Sequence, residues 1–194
     1  MGPGELEEED PRSLRVRAFF GLPVPEAVRD ELEPYLATCA MAAPLFRWVP
    51  AANLHLTVRF IGSIEHAVIE DIADRVAERP LAGFELGLGG VGTFNRGRLV
   101  RVISLEVSSG LEAAQALAAQ VEAECAAAGL TAETRPFQPH LTLARARPRE
   151  GASLPPLPGP PELKPWHADE LVLYLSHLGR AGSVYEPLRT IRLS

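Results

Sequence analysis

His55-Leu56-Thr57-Val58 and His140-Leu141-Thr142-Leu143 repeat one tetrapeptide pattern in two separate strand-like segments, each setting an imidazole two positions before a hydroxyl. Side chains alternate faces along a strand, so His55 and Thr57 share one face while Leu56 and Val58 take the other, and the second copy does the same. Each strand therefore buries an apolar face and presents a His/Thr face. Brought together, the two would surround one small cleft with two imidazoles and two hydroxyls. An imidazole with an ordinary pKa of about 6.5 works near neutral pH as acid or base, so this constellation suits moving protons on either side of a phosphodiester. Both copies follow a proline-bearing approach (Pro50, Pro139) and precede an arginine (Arg59, Arg145), context that a chance match would lack.

The other histidines lack this setting. His66 opens a helix, and His167 and His177 flank a strand, so all three read as surface or edge residues. Gly87, Gly89 and Gly92 fit GxGxxG, but no helix follows whose N-terminus could hold a pyrophosphate; a flexible or bulged hairpin connection is expected instead.

The positioning elements can be read along the chain. Residues 15–21 form a first strand, and Pro23 with Pro25 open a helix to about residue 40, which Pro34 is expected to kink or divide. A short extended piece at Phe46, a turn at residues 50–53 and the first His/Thr strand to Gly62 follow. Ala67, Ile69, Ile72, Ala73 and Val76 recur at helical spacing over residues 65–78. Strands at 84–88 and 99–107 are joined by a glycine-rich loop, 89–97. A third helix covers 109–128 with Gly129 as its cap, and the second His/Thr strand comes next. A proline-dense connection, 148–165, excludes helix and central strand. Strands at 170–177 and 185–193 flank a turn at 179–182 and close the chain. The order β-α-β-α-β-β-α-β-β-β, with one motif in each half, predicts a pseudo-duplicated, bilobal α+β fold over residues 15–194, preceded by a disordered acidic leader, 1–14.

With 194 residues, 46% of them hydrophobic, the chain can bury a sizeable core. Its net charge of -6 argues against coating long nucleic acid. Around the second motif the sign reverses, with Arg135, Arg145, Arg147 and Arg149. No apolar run is long enough to span a bilayer and no secretory signal is present, so a soluble cytoplasmic protein without a membrane partner is expected. Cys39 and Cys125 lack metal-binding or disulfide-framework spacing and read as buried thiols; no metal or cofactor is expected.

The paired motifs resemble those of the 2H phosphoesterase superfamily. The flanks RAFFGLPVP, FRWVPAANLHLTVRFIGSI, FQPHLTLARAR and LVLYLSHLGRAGSVYEPL resemble its RNA 2',3'-cyclic phosphodiesterases, formerly described as 2'-5' RNA ligases, and together span residues 15–190. The resemblance implies a bilobal fold in which each lobe is an antiparallel sheet with helices outside, and both motifs line a central groove. It also implies hydrolysis of RNA 2',3'-cyclic phosphate ends to 2'-phosphomonoesters, with ligation as the reverse reaction, His55 as proton donor to the 3'-leaving oxygen and His140 as the base. The residues alone do not order the two histidines. Thr57 and Thr142 supply hydroxyl donors to the phosphoryl oxygens. Strict alternation sends Arg145 away from His140, but the family pattern HxTLAR carries an arginine there, so either a bulge or a strand end after Leu143 re-aims it toward the groove or it forms a structural ion pair. Arg59 shares the His55 face by parity. Phe46, Trp48 and Tyr185 are candidates for base stacking, with core packing expected of at least one. Because one chain supplies both motif strands, a monomer is expected. The alternative from another class is a module that binds RNA ends or nucleotides without turnover.

Overall fold

The computed structural model describes residues 14–179 and 182–194. The acidic leader, apart from Leu14, and the centre of the last turn lie outside the described residues. Nine strands and three helices follow in the order β1 (Arg15–Pro23), α1 (Glu26–Ala42), β2 (Phe46–Trp48), β3 (His55–Glu65), α2 (His66–Ala77), β4 (Phe84–Arg96), β5 (Leu99–Ser109), α3 (Leu111–Ala127), β6 (His140–Ala146), β7 (Trp166–Ala168), β8 (Glu170–Gly179) and β9 (Gly182–Arg192).

The strands pair in the order β7-β4-β5-β6-β3-β1-β8-β9, with β2 on β6. All pairings are antiparallel. The order resolves into two halves, β3-β1-β8-β9 and β7-β4-β5-β6, joined where Leu56 of β3 faces Leu141 of β6. The halves are not consecutive in sequence, because β8 and β9 return to flank β1. Both residues at the seam are fully buried and belong to the main core, which α1, α2 and α3 close on one face of the sheet. The opposite face carries the histidines.

Several expectations need correction. Helix α1 runs unbroken through Pro34; its buried stripe of Val28, Leu32, Tyr35, Leu36 and Cys39 is continuous across the proline, and packing outweighs the one missing backbone donor. The expected loop at 89–97 is strand. β4 continues to Arg96 with an irregular register between Leu88 and Val91, and only the tip residues turn back into β5. Glycine suits this stretch because neighbouring side chains lie across it: a Cβ on Gly92 would stand 2.9 Å from Glu106 Cγ. β7 had no sequence signal, being three residues inside the proline-rich neighbourhood.

The proline-dense connection is a strap on the helix side of the sheet. Over residues 154–160, Leu154, Leu157 and Pro160 are half-buried while Pro155, Pro156, Pro158 and Gly159 are exposed, a three-residue period matching a polyproline II helix. The Tyr35 hydroxyl ties the strap to α1 by donating to the Pro158 carbonyl at 3.3 Å. Val91 and residues 154–160 line an apolar cavity of about 550 Å³ beneath it. Val91 pairs with Leu105 on the core face, so this cavity lies away from the histidines.

Candidate active site

The seam places the two motifs head to tail. With Leu56 opposite Leu141, one step along the antiparallel register sets His55 toward Thr142 and Thr57 toward His140. Both leucines point into the core, and the four polar side chains stand half-buried on the other face.

Each imidazole is held the same way. The ring Nδ1 of His55 donates to the Asn53 carbonyl at 2.8 Å, and that of His140 to the Gln138 carbonyl at 2.7 Å. A carbonyl only accepts, so Nδ1 carries the proton and Nε2 is left to work in the groove. His55 Nε2 lies 3.1 Å from Thr57 Oγ1. Asn53 is itself fixed, its side-chain amide donating to the Ser183 carbonyl of β9 at 2.9 Å. Aromatic rings brace both histidines. Phe19 lies 4.6 Å from His55 and Phe94 lies 4.6 Å from His140, centroid to centroid, and Tyr185 meets His55 edge-on at 5.0 Å. Gly21, opposite Thr57, keeps the rim open; a Cβ there would stand 3.1 Å from the Leu56 carbonyl and 3.5 Å from the His55 ring.

Two bulges decide which arginine reaches the groove. On β6, Ala144 pairs with Ile103 and Thr142 with Ser104, so Leu143 is an extra residue. Leu143 and Ala144 are both fully buried, and the alternation resumes with Arg145 on the His140 face. On β3, Arg59 pairs with Phe20 and Thr57 with Gly21, making Val58 the extra residue at the same position of the first motif. This bulge inverts the parity there too. Arg59 therefore turns to the helix face, where it pairs with Glu122 of α3 and donates to the Thr131 carbonyl at 2.7 Å. The expectation that Arg59 serves the groove is corrected: it is a strut between β3 and α3. Arg59→Gln is expected to lower stability by about 1–3 kcal/mol, read as the denaturant midpoint, with kcat/KM on any groove substrate changed less than roughly threefold. A large loss of turnover without loss of stability would return Arg59 to the groove.

Phe46 and Trp48 are also corrected. They flank Arg47 on three-residue β2 and share the core face: Phe46 is 1% exposed, and the Trp48 indole donates to the Ala43 carbonyl at 3.3 Å. Tyr185 is in the groove. Sequence reasoning missed Phe19, Phe94 and Phe60. Phe60 pairs with Phe19 and is 51% exposed, at the position equivalent to Arg145 in the other motif.

Electrostatics couple the centre. Burial pushes the His55 pKa below the ordinary imidazole value; the Asn53 carbonyl opposes this, and the charges of Arg145 and His140 reinforce it. His140 is likewise pushed down by burial, opposed by Gln138 and reinforced by Arg145. Arg145 thus acts on both rings. Cys39 and Cys125 are free, buried thiols. Among the described residues, no group of three or more histidine, cysteine or carboxylate side chains is arranged to hold a metal ion, and no helix is long and apolar enough to cross a membrane.

A sheet of two antiparallel halves, with one His-x-Thr strand from each meeting at a seam, defines the class of the protein as a two-histidine groove of the 2H type. Residues 24–180 match the family model of the 2'-5' RNA ligase superfamily. The chain is 30% identical over 186 residues to the RNA 2',3'-cyclic phosphodiesterase of Methanothermobacter thermautotrophicus, covering 93% of this chain and 100% of that protein. It is also 30% identical to the Escherichia coli protein of the same description, covering 89% and 94% of the two chains. The structure of E. coli LigT complexed with 3'-AMP superposes with a TM-score of 0.81 at 26% identity, covering 93% of this chain and 99% of that one. The chain belongs to the 2'-5' RNA ligase superfamily.

Proposed function

We propose that this chain hydrolyses RNA 2',3'-cyclic phosphate ends to 2'-phosphomonoesters by acid–base catalysis between His55 and His140, without a metal or cofactor. The observation that carries the reading is the seam at Leu56 and Leu141, which gathers both His-x-Thr pairs and Arg145 on one face. The relatives' description as RNA 2',3'-cyclic phosphodiesterases supports the substrate class.

Neutral His140, through Nε2, takes a proton from water as the water oxygen bonds to phosphorus. Protonated His55 gives its Nε2 proton to the 3'-oxygen as the P–O3' bond breaks, leaving a 2'-phosphate and a 3'-hydroxyl. Proton exchange with solvent then resets both rings. The order of the two histidines follows the family resemblance. Thr57 and Thr142 donate to the non-bridging oxygens, and Arg145 adds a charge-assisted bond where negative charge accumulates. Tyr185 and Phe60 offer aromatic faces to the terminal base. With a 5'-hydroxyl in place of water as the nucleophile, the same step forms a P–O5' bond as P–O3' breaks, and joins two RNA ends through a 2'-5' linkage. The protein acts as a monomer in this reading, since one chain provides the whole groove.

The test is to incubate EDTA-treated protein with a short RNA ending in a 2',3'-cyclic phosphate and locate the product phosphate. A 2'-phosphate is expected. A 3'-phosphate overturns the leaving-group assignment, and binding without turnover identifies an RNA-end-capturing module instead.

A further inference from the structure

We infer that Arg47 holds a second phosphate of the substrate, so that the groove selects oligoribonucleotide ends over nucleoside 2',3'-cyclic phosphates. This rests on the cyclic-phosphate reading above and names the substrate class within it.

The inference starts from strand β2. Phe46 and Trp48 are drawn to the core, and this forces the residue between them onto the groove face. Arg47 lies directly opposite Arg145 in the β2–β6 register, so their Cα atoms are roughly 4.5–5.5 Å apart. Two like charges directly opposite on one face of a sheet destabilise it. Carboxylates relieve some of the chain's other arginines: Arg59 pairs with Glu122, Arg79 with Glu124, Arg189 with Asp74 and Arg192 with Asp169. Among the described residues neither Arg47 nor Arg145 makes an ion pair or a side-chain hydrogen bond. The protein keeps this unrelieved pair of guanidinium groups opposite each other on β2 and β6 although its net charge is -6.

The two arginines are not equivalent. Arg145 stands on β6, the strand that carries His140, which places it at the reacting phosphate; Arg47 stands one strand further out, on β2. A nucleoside 2',3'-cyclic phosphate has one anionic group, and the centre takes it. The next negative charge along an RNA chain is the phosphodiester on the 5' side of the terminal nucleoside. A guanidinium fork on an exposed edge strand, next to the first phosphate's arginine, suits it.

The experiment compares kcat/KM for adenosine 2',3'-cyclic phosphate with that for a dinucleotide ending in the same cyclic nucleotide, in the parent protein and in Arg47→Gln. The parent is expected to prefer the dinucleotide by about 10- to 100-fold, the range of one charge-assisted contact, and the ratio is expected to collapse toward one in the variant. The dependence of log KM on log salt for the dinucleotide should become shallower by about 0.7, and Arg47→Lys should restore it. A ratio that survives Arg47→Gln overturns the inference. Titration with a dinucleotide carrying a terminal 2'-phosphate reads the same contact without turnover. Weaker binding by the variant supports the inference and unchanged binding overturns it. Absence of turnover on both substrates would count against the hydrolytic reading alone.

Discussion

Replacing either imidazole with alanine is expected to lower kcat roughly 10²- to 10⁴-fold while leaving affinity for the RNA end nearly intact. The loss falls on turnover because binding is carried by other groups, namely Thr57, Thr142, Arg145 and the aromatic faces. The double variant should be little worse than the weaker single one, since acid and base act as a unit. His55 packs against Phe19 and Tyr185, so His55→Ala leaves a gap and His55→Gln is the companion variant. Its side chain fills most of that space and cannot act as an acid. An activated aryl phosphodiester of the same nucleoside separates the two roles. Its leaving group departs as an anion without a proton, so losing the acid should matter little there while losing the base still matters. If His55→Gln recovers on that substrate and His140→Gln does not, His55 is the donor; the opposite pattern would reverse the assignment. Equal loss of binding and turnover in both variants would favour a module that captures RNA ends.

The parts of this centre that were legible in the sequence follow from strand alternation. His-Leu-Thr-Val and His-Leu-Thr-Leu each announce one buried and one polar face, and the buried leucines meet where the two halves join. What strand alternation withheld is the bulge three residues after each histidine; the family pattern HxTLAR pointed to the one at Leu143, and nothing pointed to the one at Val58. A bulge needs only a residue that can be buried beside its neighbour, and Val58 and Leu143 look like ordinary strand residues. Its effect is nevertheless large. Parity alone assigns Arg59 to the groove and Arg145 to the core face; the bulges reverse both. The aromatics show a different limit. Phe19 and Phe20 are adjacent and chemically identical, yet Phe20 fills the core and Phe19 lies on His55. Only the strand's position in the sheet tells them apart. β2 is too short to alternate visibly, so Phe46 and Trp48 read as exposed candidates although they pack inward and leave Arg47 outside.

Arg145→Gln is expected to lower kcat/KM roughly 10²-fold and, in the same variant, to shift its pH optimum upward. The first effect removes a charge-assisted donor from the phosphate. The second follows from the sign of the coupling. Burial is the main cause holding both imidazole pKa values down, and Arg145 adds to it in both. Turnover needs one ring neutral and the other protonated, a form most populated between the two apparent pKa values of the pair. With both values below about 6.5, the parent's kcat/KM should peak on the acid side of neutrality. Removing the guanidinium lets both values rise and carries the peak with them. The kcat profile of the parent should already lie higher than its kcat/KM profile, because bound phosphate offsets the arginine's charge before chemistry begins. A substitution that merely loosened the fold would lower the curve without moving it along the pH axis. Arg59→Gln, which breaks a contact on the other face, supplies that comparison. An unmoved peak in Arg145→Gln would mean that the arginine does not act on the imidazoles, and an unchanged kcat/KM as well would mean that the bulge at Leu143 serves packing alone.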